Sequence, residues 1–595
     1  MSARFPDFFL ELVEGAPSDA EPPRRFAAGH VRTQASGRGW RLYVDRPASE
    51  PSGLAELTHG ARRFLALGEL TAYRGRDAAS SAAALAAFAG DVVEGREDPA
   101  SLAGHFALLA IDDDAGDVRL WTNRGGTWHV YVARAGERVV ALGTFAPALN
   151  ARARRQLDWL GLAGFLALGF FPGDRTHHDD VRVLRPASLH RVSMRERRLV
   201  STRYVEWRHA PRTGTTALEA VEEFRARFDR VLARQSAGTT LALPISGGLD
   251  SRCTVASLAP REGAPVAPLW AYSYGYGDDS VELRIAREVA AARRLPLHAL
   301  AIGPYLFDRL DDVLAATDGF VDVTLSRQVA VADPLGAHAS HVIAAHWGDV
   351  WFDDMGLLGA PADVDVAGKA LQKFRKRGSD WLLANVVRDR AGADPMAALA
   401  GVVADELRPL AHIEDPDFRL KLLKTEQWSF RWTMSSLRTY QLGALPRLPF
   451  YEPEIIDLFC TLPTALVARR MLQVEYLRRT APDLARVTWQ AHGIDLFAYP
   501  RARPVPLWQR AVRRAWRTLR GRRIRERNWE VQLAEGRGPA ALVSLLTAPG
   551  RRIHEVCAPA AVRALLDEFT RAPTPALGYT VSALVTLAAW LERQP

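Results

Sequence analysis

The sequence predicts an α/β protein of two domains: a layered, β-rich N-terminal domain and a C-terminal domain on a doubly wound parallel sheet with a helical extension. Three observations carry this expectation. Short β-type runs separated by turn residues fill the chain to about residue 208, strand-like and helix-like segments alternate beyond residue 240, and helical patterns dominate from about residue 365. With 595 residues and 48% hydrophobic content, the chain can bury a large core without disulfide or metal staples.

In order, the β-type runs of the first domain are 106–111 before Asp112-Asp113-Asp114, then 118–121, 128–132 and 139–142. A polar stretch with Pro and Gly, 209–216, follows and sets the expected boundary near residue 212, dividing 1–212 from 213–595. Residues 217–235 carry Val221, Phe224, Phe228, Val231 and Leu232 at spacings of three and four, a helical stripe. Next come a buried strand (240–245), a helix start (252–258), a strand (266–272), a helix (280–293), a short strand (297–302) and a later strand (341–345). Pro-containing turns such as Leu445-Pro446-Arg447-Leu448-Pro449-Phe450 interrupt the helical remainder.

Three cysteines, Cys253, Cys460 and Cys557, are far apart and form neither a disulfide framework nor zinc-ligand spacing, which fits a reducing cytoplasm. No apolar run reaches the length of a membrane span and the first residues do not look like a signal peptide. The net charge of +9 is uneven: between Arg501 and Arg527 stand eleven arginines against one acid, Glu526. Within it, Trp508, Val512, Ala515, Trp516 and Leu519 share one helical face. That face either packs into the core or, with the arginines, meets an acidic partner or a membrane surface; no specific nucleic-acid partner is expected.

The chemistry centres on Ser246-Gly247-Gly248-Leu249-Asp250-Ser251, placed after a buried strand and opening a helix. In that setting backbone N–H groups and a helix N-terminus converge on an anion, the glycines allow close approach, and two hydroxyls add donors. A pyrophosphate fits such a cradle. Asp250 would repel it unless a cation bridges them, so Mg²⁺ is expected beside ATP. The loop lacks the lysine of the Gly-x4-Gly-Lys-Ser/Thr motif, which favours cleavage between the α- and β-phosphates over γ-phosphoryl transfer.

Here the chain resembles the asparagine synthetases and their relatives, the β-lactam synthetases, lasso-peptide cyclases and asparagine-synthase-like proteins of polysaccharide gene clusters. Ser246 to Ser251 is similar to the family's pyrophosphate loop, Ile245 stands where the family contacts the nucleotide, and 270–275, with Tyr274, resembles its adenine-facing strand. His346-Trp347-Gly348-Asp349 resembles the second loop, which implies that Asp349 joins Asp250 at the metal. Arg447-Leu448-Pro449-Phe450 and Trp489-Gln490-Ala491-His492 resemble two later family segments, the second of which normally holds a catalytic lysine. The first domain resembles a class II glutamine amidotransferase, which implies an αββα, Ntn-hydrolase-like layering.

The sequence also departs from the family. Its five lysines, at 369, 373, 376, 421 and 424, leave none in the later loop, where His492 or an arginine would substitute. His346 stands where a glutamate assists nucleophile deprotonation, and Arg447 is a further catalytic candidate. The N-terminal cysteine that glutamine hydrolysis needs is absent from Met1-Ser2-Ala3, so no glutaminase activity is expected. The resemblance implies an AMP-forming ligase that joins a small-molecule, glycan or peptide carboxylate to ammonia or an amine. A lasso-type macrolactam cyclase and a non-catalytic ATP-binding scaffold are the alternatives.

Overall fold

The structure, a computed structural model, describes residues 3–13, 20–152, 156–277, 280–501 and 527–594. The amphipathic stretch around Trp508 and nearly all of the arginine-rich segment lie outside these residues, as does Ser2.

The N-terminal region holds two antiparallel sheets. One is six-stranded, in the order Val181–Val183, Tyr131–Ala135, Arg138–Gly143, Asp7–Leu12, Trp40–Pro47, His30–Gly37. The other runs Leu199–Arg203, Ser188–Ser193, Asp117–Thr122, Ala103–Asp112, Arg62–Tyr73, Leu54–His59, with Arg76–Asp77 paired beside it. Strand alternation explains their stacking. Phe8, Leu10 and Leu12 point into a core shared with Leu65, Leu67, Leu109 and Ile111 of the second sheet. Phe64, Ala66, Phe106 and Leu108 face the other way, against Leu85, Phe88 and Val92 of the helix Ser81–Val93. Phe9, Tyr43 and Tyr131 turn from the first sheet into the core that contains the helix Trp159–Leu168. The layers are therefore helix, sheet, sheet, helix, and strands apolar on both faces are what such central layers require.

Beyond Thr216, whose side chain caps the helix Ala217–Ser236 in a reciprocal box with Glu219, lies a five-stranded parallel sheet. Its order is Leu297–Ala301, Leu269–Gly275, Leu241–Pro244, His341–Ile343, Leu445–Arg447. Chain order reverses on either side of Leu241–Pro244, so a crevice opens at the carboxyl ends of that strand and of His341–Ile343.

The fifth strand corrects the reading of residues 445–450 as a turn. Leu445–Arg447 pairs in parallel with His341–Ile343 and stands at the sheet edge, the position where Pro446, without an N–H to donate, is tolerated. The second strand begins at Leu269 rather than 266, just after Pro268. From Val366 onward helices dominate, among them a π-helical stretch, Thr425–Thr433, that reaches the N-terminal sheets. There Glu426 accepts from Trp207 Nε1 at 2.6 Å and pairs with Arg203, while Gln427 Oε1 accepts from the Gly173 N–H at 2.7 Å. No helix among the described residues is long and apolar enough to cross a membrane.

Candidate active site

The buried strand Leu241–Pro244 ends at Ile245, whose N–H donates to the Tyr272 carbonyl at 2.8 Å. The loop then folds on its own hydroxyls. Ser246 and Ser251 Oγ lie 2.9 Å apart, and the Gly248 N–H donates to Ser246 Oγ at 3.2 Å. Gly248 is the N-cap of the helix Leu249–Leu258, and no side chain caps that helix, so its first N–H groups keep their capacity for an anion.

The loop opens on a cleft of about 440 Å³, in the range of small-molecule sites. Ile245, Ser246, Gly248, Leu249, Asp250 and Ser251 line it. From the neighbouring strands and loops come Tyr274, His346 and Asp349. Gly247 instead lies under the later loop: a Cβ there would sit 2.2 Å from Gln490 Oε1, and the Gln490 N–H donates to the Gly247 carbonyl at 3.3 Å. Arg252, fully buried, ties the two segments together by donating to the carbonyls of Val487 (2.7 Å), Leu484 (3.2 Å) and Gly247 (3.4 Å). Burial pushes its guanidinium down to about 10, so this cation depends on the carbonyls around it.

Asp250 and Asp349 meet across the crevice. Asp250 Oδ2 accepts the Asp349 N–H at 2.9 Å, while Oδ1 accepts from Arg470 Nη2 at 2.5 Å and Gln473 Nε2 at 2.9 Å. Gly348 makes the approach possible, because a Cβ there would lie 2.8 Å from Asp250 Cγ and 2.9 Å from Phe450 Cε2. Burial raises the Asp250 carboxyl to about 6, against the pull of Arg470 and with a push from Asp349. Such a group favours a cation beside it. Among the described residues no cluster of three or more His, Cys, Asp or Glu could hold a metal by itself. Two oxygen donors suit a hard ion that takes its other ligands from phosphate and water.

His346 turns its ring toward Tyr440 (centroids 6.3 Å), and its Nδ1 is sealed from solvent without a partner. Burial holds its pKa down to about 4, against the charge of Asp349, so the imidazole is neutral at pH 7. Just before the second loop's short helix Gly348–Trp351, Trp347 is left-handed at φ 80, a costly setting for a bulky residue.

Two expected catalytic residues stand elsewhere. His492 packs between Trp489 (4.4 Å) and Tyr499 (4.7 Å) and is not in the cleft lining, although Trp489 and Ala491 of the same loop are. Arg447 forms a two-pronged pair with Glu69 of the N-terminal sheet, Nε to Oε2 and Nη2 to Oε1 at 2.9 Å each, and also donates to the Gln235 carbonyl. His341 Nε2 lies 2.9 Å from the same carboxylate. Burial would raise the Glu69 carboxyl, but Arg447 and His341 overcome it and hold the group far below its usual range. Arg447 clamps the edge of the parallel sheet to the N-terminal sheet that carries Glu69.

Among the cleft residues that the sequence reading missed are Glu282, Arg327, Gln328, Tyr440 and Arg470. Arg327 stands 5.6 Å from the Tyr274 ring centroid, and its charge acts on Glu282, whose carboxyl burial raises. An apolar-periodicity search does not register charged or hydroxylated residues contributed singly by distant helices.

A different cavity, of about 20 Å³, lies beside the start of the strand Asp7–Leu12, closed on one side by Arg438 and Gln441. Asp7 is held by Arg25 (2.8 and 3.2 Å) and Thr144 Oγ1 (2.9 Å), and Arg25 Nη1 also pairs with Asp318 at 2.7 Å. His105 faces Trp128 at 5.0 Å and burial lowers it to about 4. All three cysteines are buried, and the Cys253 thiol, pushed up by burial, takes a 3.5 Å contact from Gln473 Nε2.

Among comparisons with known proteins, residues 223–342 match the family model for asparagine synthase. That span holds the loop, the helix after it and the first four strands of the parallel sheet up to Val342. No curated protein matches the chain. Among solved structures, a glutamine phosphoribosylpyrophosphate amidotransferase from B. subtilis, complexed with ADP and GMP, aligns at 10% identity over 44% of this chain. The alignment spans about half of that structure, 51%, with a TM-score of 0.19, a likeness too remote to bear on function. Over residues 223–342, which hold the loop and most of the parallel sheet, the chain is similar to asparagine synthase.

Proposed function

We propose that this protein is an ATP-dependent carbon–nitrogen ligase: it adenylates a carboxylate, releases pyrophosphate, and passes the acyl group to an amine or ammonia. The observation that carries the reading is the meeting of Asp250 and Asp349 at the strand-order reversal, beside a helix N-terminus without a side-chain cap. In this reading a carboxylate oxygen of the substrate attacks the α-phosphorus and the bond to the pyrophosphate oxygen breaks. The amine nitrogen then attacks the acyl carbon, AMP leaves, and the nitrogen gives up a proton. Ser246, Ser251 and the N–H groups opening Leu249–Leu258 would receive the pyrophosphate. Asp250 and Asp349 would hold Mg²⁺, which when bound offsets phosphate charge. His346, which lines the cleft and is neutral at pH 7, would accept the proton. Ile245 and Tyr274 would border the nucleoside.

Glutamine is not the proposed nitrogen source. The three cysteines are buried, and a cavity of about 20 Å³ at the first described strand has room for about one water rather than a glutamine side chain. The first domain, taken as ending near residue 212, would act as a scaffold clamped to the second by Glu69 and Arg447. The substrate carboxylate would belong to a small molecule, glycan or peptide, and the setting would be cytoplasmic.

ATP–pyrophosphate exchange driven by candidate carboxylates tests this. Exchange is expected, and Asp250→Ala should lower it about 10²–10³-fold, the scale of losing a group that stabilises transition-state charge. Nucleotide binding without AMP formation across carboxylates of all three classes would overturn the reading in favour of a scaffold.

A further inference from the structure

Arg470 is the charged group closest to the chemistry that the reading above leaves without a role. Its Nη2 donates to Asp250 Oδ1 at 2.5 Å, its Nε to Gln473 Oε1 at 2.8 Å, and Gln473 Nε2 returns to the same Asp250 oxygen at 2.9 Å. It lines the cleft. Asp250 is thus fully engaged by a guanidinium, a side-chain amide and a backbone N–H, all from this chain.

The backbone pays for this placement. Arg469 and Arg470 are both left-handed, at φ 56 and φ 63, in consecutive residues that are not glycine. The bend is pinned from both sides: the Arg469 N–H donates to Asp354 Oδ2 at 3.2 Å, and its carbonyl accepts from Tyr499 Oη at 3.1 Å. Its effect is to deliver Arg470 to Asp250 ahead of the helix Met471–Thr480. None of the five lysines lines the cleft. Lys424, whose pKa burial lowers against the pull of Asp349, lies 5.4 Å from the Trp347 ring centroid and 5.9 Å from that of Trp428.

A guanidinium and a divalent ion cannot share Asp250 Oδ1, because two cations within about 4 Å repel by several kcal/mol at the effective dielectric of a partly buried site. We propose that Arg470 is the resident counter-cation of the cleft: it neutralises Asp250 before nucleotide arrives, yields that carboxylate to the divalent ion, and turns its charge to the phosphates. Gln473 holds Nε throughout, so only the Nη2 end needs to swing. The inference rests on the ligase reading.

It makes a prediction of two opposite signs. Arg470→Gln removes a competitor for Asp250, so the full-length protein should bind Mn²⁺ alone about tenfold more tightly, within the usual size of a site-to-site coupling. The same variant should bind Mn²⁺·ATP about tenfold more weakly than the wild type. Electron paramagnetic resonance titration of free Mn²⁺ reads the first, and equilibrium dialysis with labelled ATP reads the second. A merely structural role would weaken both. Unchanged or weaker Mn²⁺ binding, or undiminished ATP binding, overturns the inference while leaving the ligase reading intact; a wild-type protein that binds no Mn²⁺·ATP overturns both. Should Arg470→Gln fail to fold, Arg470→Met, which removes the charge and keeps an unbranched side chain, must still tighten Mn²⁺ binding, and no change refutes the proposal.

Discussion

The protein contains two acid–arginine pairs beside cavities, and they differ in what surrounds them. In the N-terminal sandwich, Asp7 is taken by Arg25 and Thr144, and Arg25 is itself spent on Asp318, the Ala315 carbonyl and the Thr144 carbonyl. The Asp7, Arg25 and Thr144 side chains are all satisfied, and about 20 Å³ remains. In the parallel-sheet domain, Asp250 and Arg470 pair just as closely, yet they border about 440 Å³ of open cleft and an uncapped helix N-terminus. A charge pair whose members are exhausted by other partners is structural. One that faces open volume and unspent backbone donors can exchange partners, which is what catalysis with phosphates demands.

The largest expected effect sharpens the structural side. Arg447→Ala strands the buried Glu69 carboxylate and should cost about 3–5 kcal/mol of stability, read by denaturant unfolding, with ATP affinity of the folded protein unchanged. Its pH signature has a definite sign. The folded Glu69 carboxyl lies far below its ordinary 4.5, so its stabilisation is present above about pH 4.5 and lost as pH falls toward the folded value. Glu69→Gln should flatten that acid limb in unfolding measured at successive pH values. A loss of ATP binding equal to the loss of stability would break the distinction between the two regions.

A smaller effect belongs to His346. Its removal, as His346→Ala, should slow amide formation about 10²-fold while leaving ATP–pyrophosphate exchange within about twofold, since only the second step needs a proton acceptor. Because burial holds it at about 4, its contribution should be constant from pH 5 to 8 and fade only as pH falls toward that value, as rates in a pH series would show. An equal fall in exchange would move His346 to the first step. The smallest effect is expected for His492→Ala, which loses ring packing on Trp489 and Tyr499 worth about 0.5–1.5 kcal/mol and changes exchange by less than about twofold.

These residues show which parts of the molecule the sequence discloses. The loop Ser246 to Ser251 was legible because its chemistry is local: glycines, hydroxyls and a carboxylate in six consecutive positions after an apolar run. The alternation of strand and helix gave the parallel sheet, and Asp349 followed from a second short motif. Arg447 sits in a recognisable segment, but its ion-pair partner Glu69 lies 378 residues away and leaves no local mark. Arg470 was invisible for the same reason, since its partner Asp250 is 220 residues distant and its backbone bend leaves no compositional mark. The edge strand Leu445–Arg447 was hidden by Pro446, a residue that usually signals a turn and is accepted here because, among the described residues, no strand pairs beyond it.

The account stands on Asp250 and Asp349 gripping one divalent ion against the phosphates in the 246–251 loop. A crystal structure with a non-hydrolysable ATP analogue and Mn²⁺ tests this most directly, through the anomalous signal of the ion. The expected result is one Mn²⁺ between the two carboxylates, phosphates against Ser246 and Ser251, and Arg470 turned from Asp250. Nucleotide bound elsewhere, or Mn²⁺ absent while the Arg470 to Asp250 pair stays closed around bound nucleotide, would contradict it.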